Sequence, residues 1–239
     1  MSGPRTGPKT AMVMAAGLGT RMRPLTNERP KALIQVRGKA LIDYILDPLA
    51  AAGVERVVVN VHAFADQLEA HLAQRSDMEV LISDERARLL ETGGGVKKAR
   101  PLLGEAPIWV CNGDYVWAHA SRPPLDVLAQ AWDPAAMDAL LIVIPKERTL
   151  GFDSPGDFFQ APDGSLAHRG AAAEAPLHCF GVEIIDPAPI YADPREVFSL
   201  FDTWMACARR GRLHGVQIDG LWMQVGDPEA LEAAEARLR

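Results

Sequence analysis

Gly17 and Gly19 interrupt the chain directly after its first apolar run, in the stretch "AMVMAAGLGTRMRPLTNERPKAL" (residues 11–33), and Arg21, Arg23, Arg29 and Lys31 follow. Glycine lets a backbone come close to a ligand, and guanidinium and ammonium groups suit phosphate oxygens. The stretch therefore reads as a local site for a small anion. Two familiar phosphate-binding patterns do not fit. A dinucleotide-binding G-x-G-x-x-G requires a third glycine where Met22 stands, and no G-K-[ST] follows Gly19 as a P-loop requires. A carboxylate, Asp114, closes the run "APIWVCNGD" (residues 106–114). In open α/β sheets, ligands gather at the carboxyl ends of strands.

Other residue types give less. The six histidines show no metal spacing and no Ser/His/Asp arrangement; His62 reads as a polar loop residue. Cys111, Cys179 and Cys207 are odd in number and far apart, as expected of reduced thiols rather than a disulfide framework or zinc site. Trp109, Trp117, Trp204 and Trp222 read as core or pocket-rim residues.

The elements that must position these groups alternate. Residues 11–16, 55–61, 78–83, 106–114 and 138–145 are apolar strand candidates, continuous rather than alternating, as in parallel sheets. Between them, Leu41, Ile42, Ile45, Leu46 and Leu49 recur at helical spacing up to Gly53, with Pro48 inside to kink or shorten the helix. Residues 65–74 and 125–132 also read as helices, and "ETGGGVKKARPLLG" (91–104) as a glycine loop feeding a short helix. This repetition predicts an α/β layer fold with right-handed crossovers. Further on come a hairpin over 156–170 turning at Asp163-Gly164, a strand over 178–185 and a helix over 195–211. Two short strands around Asp219-Gly220 then precede a last helix capped by Asp227 before Pro228. The reading is a flexible segment over 1–10 and a single domain over 11–239. Its first part (11–145) carries the glycine turn and the Asp114 strand, and its second (146–239) supplies a smaller sheet.

The charge balance, 25 basic against 31 acidic residues for a net −6, excludes a general binder of nucleic acid or anionic membrane. The start "MSGPRTGPKT" has no apolar leader, and no run approaches membrane-spanning length, so a cytoplasmic monomer or small homo-oligomer is expected.

Taken whole, "GLGTRMRPLTNERPKAL" resembles the signature of the sugar-1-phosphate nucleotidyltransferases, G-x-G-[TE]-R-[ML]-x-P-L-T followed by P-K-P-L. Gly17, Gly19, Thr20, Arg21, Met22, Pro24, Leu25, Thr26, Pro30, Lys31 and Leu33 match; Ala32 stands where the family usually has proline. The resemblance implies a Rossmann-like, GT-A-like α/β domain: a mixed, mostly parallel sheet flanked by helices, with a small β-rich sugar-binding part. It implies that a nucleoside triphosphate binds along Ala15, Ala16, Gly17, Gly19 and Thr20. Arg21 would then neutralise the departing pyrophosphate, and Lys31 would hold both phosphates together. "ETGGG", through Glu91, Gly93 and Gly94, resembles the base-recognition loop of members acting on uridine nucleotides. Asp114 matches the family's Mg²⁺ ligand, making Mg²⁺ the implied cofactor. Asn112 is implied to touch the sugar phosphate, and Asp157, beside Gly156, and Glu183 the sugar.

One position departs. In W-x-D-V-G-T the family has a second metal-binding aspartate, and here Gln224 stands in its place within "WMQVGDP". Its neutral amide oxygen is a poorer Mg²⁺ ligand than a carboxylate. Motif order and length most resemble the uridylyltransferases of cell-wall recycling that use N-acetylmuramate 1-phosphate. Mannose- or glucose-1-phosphate enzymes using GTP or dTTP are the alternative within the class. A weakly catalytic nucleotide-sugar-binding protein is the alternative outside it.

Overall fold

The computed structural model describes residues 7–238; residues 1–6 of the N-terminal lead-in and Arg239 lie outside the described residues. The chain begins with β1 (Thr10–Met14), the hairpin β2 (Gln35–Val36) and β3 (Lys39–Ala40), α1 (Asp43–Ala51), β4 (Arg56–Val61), α2 (Ala65–Leu72) and β5 (Glu79–Asp84). It continues through α3 (Glu91–Lys98), α4 (Arg100–Leu103), β6 (Ile108–Asn112), β7 (Tyr115–Ala118), α5 (Pro124–Ala131), β8 (Ala139–Pro145) and β9 (Thr149–Leu150). The last elements are β10 (Phe158–Gln160), β11 (Leu166–His168), β12 (Leu177–Ile185), α6 (Ala188–Tyr191), α7 (Leu200–Arg209), β13 (Leu213–Gln217), β14 (Leu221–Gln224) and α8 (Pro228–Arg237).

The main sheet runs β5-β4-β1-β6-β12-β8-β13, with the β10–β11 hairpin joined to the start of β12. β12 alone among these seven strands runs against its neighbours: β1, β4, β5 and β6 pair in parallel, as do β8 and β13. Side chains alternate across the pleat, so each central strand feeds two cores. Val57, Val59, Trp109 and Ile142 face α1, α2 and α5, while Met12, Val58, Val110 and Leu141 face α3, α4, α6 and α7. Burial on both faces explains why these strands read as unbroken apolar runs. A small third core, with Met22, Val36, Val116, Met223 and Val225, lies between the three-stranded sheet β7-β14-β9 and α8.

Several details differ from the sequence reading. The lead-in is not loose to residue 10: Trp109 Nε1 donates to Pro8 O at 2.9 Å, and Thr10 already belongs to β1. The run 91–98 is helical throughout, its glycines included. The helix expected over 195–211 starts only at Leu200, where the Ser199 side chain caps it by accepting from Phe201 N. The two strands around Asp219-Gly220 part company: β13 joins β8 in the main sheet and β14 joins β7 and β9. Residues after 145 therefore do not make a separate layer, because β12 fills the gap between β6 and β8. The last helix is capped as the sequence indicates, with Asp227 Oδ1 accepting from Ala230 N at 2.8 Å. No helix among the described residues is long and apolar enough to cross a membrane.

Candidate active site

β1 and β6 are neighbours, and their carboxyl ends open on a cleft of about 420 Å³. The loop after β1 forms one wall. At Gly19 the backbone turns left-handed (φ 61°), and Thr26 Oγ1 donates to Gly19 O at 2.8 Å. A Cβ on Gly19 would sit 3.0 Å from side-chain atoms of both Lys31 and Thr26, so only glycine keeps this turn unstrained. Gly17 meets nothing within 4 Å, leaving that part of the loop open to a ligand.

Lys31 opens a single 3₁₀ turn after Pro30, and its Nζ donates to Asp114 Oδ2 at 2.5 Å. The two side chains are 15 and 21% exposed, so the charge pair is largely shielded at the cleft mouth. Asp114 is held from both sides. Gly113 N donates to Met14 O at 3.1 Å and Val225 N donates to Asp114 O at 3.0 Å, which fasten its turn to β1 and to the residue after β14. The Arg21 guanidinium packs over Gly226, where a Cβ would lie 3.3 Å from Nη2. Among the described residues Arg21 has no ion-pair partner, in contrast to Lys31.

Ala15, Ala16, Gly17, Gly19, Thr20, Arg21, Lys31, Glu91, Asn112 and Asp114 all border this one cleft. Glu91 does so from a strained, left-handed backbone (φ 63°) that a non-glycine residue seldom adopts. The other residues singled out from the sequence lie elsewhere. Gly93 and Gly94 back onto the segment before α7: their N–H groups both donate to Phe198 O, and their Cβ positions lie 2.4 Å from Phe198 Cε2 and 2.2 Å from Glu196 O. Their smallness lets α3 pack against residues 196–198. Asp157 accepts from Cys179 N at 2.8 Å and holds β12 in place rather than facing the cleft. Glu183 is 2% exposed in the core with Trp204 Nε1 donating to it at 2.6 Å, and burial pushes its carboxyl up to about 8. Gln224 lies opposite Tyr115 in the β14–β7 register, one position from the Val225 N–H that holds Asp114.

Among the cleft residues that the sequence reading does not single out are Asn60 and Glu85, which are bonded to each other on the floor. The available signal was a lone amide in the apolar run "VVVNV" and an acid just after "LIS". Burial raises the Glu85 carboxyl above its usual range, opposed by its hydrogen bonds from Asn60 and Leu90. All three cysteines are free, and burial pushes each thiol above its ordinary value.

No group of three or more His, Cys, Asp or Glu side chains able to hold a metal occurs among the described residues. The donor set for a divalent cation reduces to Asp114, whose Oδ1 takes no hydrogen bond among those residues. One carboxylate beside a cleft fits Mg²⁺, which is commonly held by one or two carboxylates together with substrate phosphates and water.

A glycine loop, two cations and a carboxylate at the carboxyl ends of adjacent parallel strands define a protein that handles phosphate esters. A family model described as nucleotidyl transferase matches residues 10–152. The chain is 52% identical to N-acetylmuramate alpha-1-phosphate uridylyltransferase of Caulobacter vibrioides, over 97% of each chain. It is 33% identical to the enzyme of that name from Neisseria meningitidis, over 95% of this chain and 96% of the relative. Among solved structures, the inositol-1-phosphate CTP transferase from T. maritima superposes with a TM-score of 0.77 at 17% identity, covering 98% of both chains. HddC from Yersinia pseudotuberculosis gives 0.74 at 19% identity, covering 97% of this chain and all of that one (100%). At those identities the two structures speak for the fold alone. The chain belongs to the nucleotidyl transferase family and is a sugar-1-phosphate nucleotidyltransferase.

Proposed function

We propose that the enzyme transfers UMP from UTP to N-acetylmuramate α-1-phosphate, forming the UDP-sugar and pyrophosphate. The observation that carries this choice of substrates is the 52% identity, over 97% of both chains, to the Caulobacter uridylyltransferase. In the reaction a phosphate oxygen of the sugar phosphate attacks the α-phosphorus of the nucleotide. The bond from that phosphorus to the β-phosphate oxygen breaks, and pyrophosphate departs with the electron pair. Two polyanions must meet, so catalysis is mainly a matter of placing fixed positive charge and aligning the attack.

Lys31, held by Asp114 and shielded from bulk water, would bridge the two phosphates. Arg21, with no carboxylate partner among the described residues, is free to meet the leaving pyrophosphate. Ala15, Ala16, Gly17, Gly19, Thr20, Glu91 and Thr92 border the cleft; in this reading the loop takes the base and triphosphate, and Glu91 and Thr92 flank the base. Mg²⁺, which Asp114 would hold together with phosphate oxygens, supplies further charge neutralisation when bound. Gln224 adds no second carboxylate, in keeping with a site that relies on one.

The test is pyrophosphate release across UTP, CTP, GTP, ATP and dTTP paired with N-acetylmuramate, N-acetylglucosamine, glucose and mannose 1-phosphates. Release is expected with UTP and N-acetylmuramate 1-phosphate, falling by roughly 10²-fold or more in Asp114→Ala and Lys31→Ala. Preference for GTP with mannose 1-phosphate would overturn the substrate assignment. Tight UTP binding with no release from any pair would instead favour a nucleotide-sugar-binding protein.

A further inference from the structure

We infer that Asn60 and Glu85 act as one buried strut that sets the spacing between the two walls of the cleft, making them positioning residues for the nucleotide. The inference rests on the reading of this cleft as the nucleotide site. Asn60 is 2% and Glu85 1% exposed, and both border the cleft. They come from neighbouring parallel strands: Asn60 lies in β4 opposite Ser83 of β5, and Glu85 follows β5.

Asn60 Oδ1 accepts from Ala15 N at 2.7 Å and from Ala16 N at 3.2 Å. Turning the amide over would aim its NH₂ at those two N–H groups, so its orientation is set. Nδ2 then donates to Glu85 Oε1 at 2.9 Å, and Glu85 Oε2 accepts from Leu90 N at 3.3 Å. The chain of bonds thus starts at the loop after β1 and ends at the residue before Glu91, on the opposite wall. Glu85 is itself anchored, its N–H donating to Val61 O at 2.8 Å and its carbonyl 2.7 Å from His62 Nδ1.

Two consequences separate this arrangement from ordinary core filling. The N–H groups of Ala15 and Ala16 are committed to Asn60, so the loop offers a ligand its backbone N–H groups only from Gly17 onward. The third glycine of "ETGGG" also gains a purpose. A Cβ on Gly95 would lie 2.9 Å from Glu85 Oε1, 3.2 Å from Asn60 Nδ2 and 3.2 Å from Met14 Cε, so Gly95 provides the room the strut occupies. An apolar pair of the same shape could fill that space, but it would leave the N–H groups of Ala15, Ala16 and Leu90 without their acceptors. What an apolar pair could not do is hold two backbone segments at a set distance.

The experiment is steady-state kinetics of Asn60→Ala and Glu85→Gln, varying each substrate in turn at saturation of the other, with thermal unfolding of each variant alongside. Asn60→Ala should raise the nucleotide KM roughly tenfold or more while the sugar-phosphate KM stays within about twofold. Glu85→Gln keeps the size but turns one of two acceptors into a donor, and should shift the nucleotide KM in the same direction by less. An unchanged nucleotide KM, with loss confined to kcat or folded yield, would reduce the pair to a structural role and overturn the strut. Should Asn60→Ala fail to fold, an unchanged nucleotide KM in Glu85→Gln overturns it equally. Wild-type enzyme silent with UTP counts against the proposed function instead. The strut is then judged by the variants' calorimetric Kd for whichever nucleotide the wild type binds, and equal Kd values reject it.

Discussion

Glu183 is a carboxylic acid in the core whose side chain has one hydrogen-bond partner, Trp204 Nε1. Burial lifts its pKa from 4.5 to about 8. An acid whose pKa is raised on folding binds more protons folded than unfolded between those two values. Its contribution to stability is therefore fully present below pH 4.5 and is lost as pH rises toward 8. Loss on the order of a few kcal/mol across that window follows from about 1.4 kcal/mol per unit. Glu183→Gln keeps the bond from Trp204 and carries no titrating proton. Denaturant unfolding from pH 5 to 8.5 should show wild-type stability falling relative to the variant, and parallel curves would contradict the linkage. The residue also shows how legible single positions were. Gly17, Gly19, Arg21 and Lys31 could be read because their cluster is contiguous in sequence. The resemblance implies a sugar contact for Glu183 through its strand, but strand membership says nothing of which face a side chain takes. Asn60 and Glu85 meet only through the β4–β5 pairing, which no local pattern states.

At the scale of elements, α3 shows two physical rules in conflict. Alanine is a better helix former than glycine by about 1 kcal/mol, so Gly94→Ala should help an isolated helix. In the folded chain that methyl would lie 2.2 Å from Glu196 O, and overpacking typically costs about 1–3 kcal/mol. The clash is expected to win, lowering the melting temperature; a raised one would mean that residues 196–198 give way easily. The same contact explains why the glycine run looked like a loop. Three glycines are poor helix formers in isolation, and the partner that makes them useful lies about a hundred residues onward, at Glu196 and Phe198. The apolar strands and Asp227-Pro228 were legible because burial on both faces and capping act locally. The parting of β13 and β14 was not, because it depends on which strand edges remain unfilled.

For the whole molecule, the alternation of strands and helices identified an α/β fold, yet it placed a seam near residue 145 that the sheet does not have. β12 lies between β6 and β8, and Val225 and Gly226 help build the cleft that begins at β1. A fragment ending at residue 152, where the family match ends, lacks the central antiparallel strand. It is expected to show no cooperative thermal transition and no nucleotide binding, while the full chain unfolds in one calorimetric step. A fragment that binds nucleotide with near-native affinity would restore the seam.

The late position of β12 also matters when synthesis stops short of it. The edges of β6 ("IWVCN") and β8 ("ALLIVIP") that it will cover contain no charged residue, and both are synthesised before residue 177. A chain that lacks β12 carries two unpaired, apolar strand edges, the kind of surface that recruits other chains. Chains truncated between residues 145 and 177 and released should therefore give aggregated or chaperone-bound product. The exposure arises because a strand from the middle of the sheet comes later in the chain than both of its neighbours.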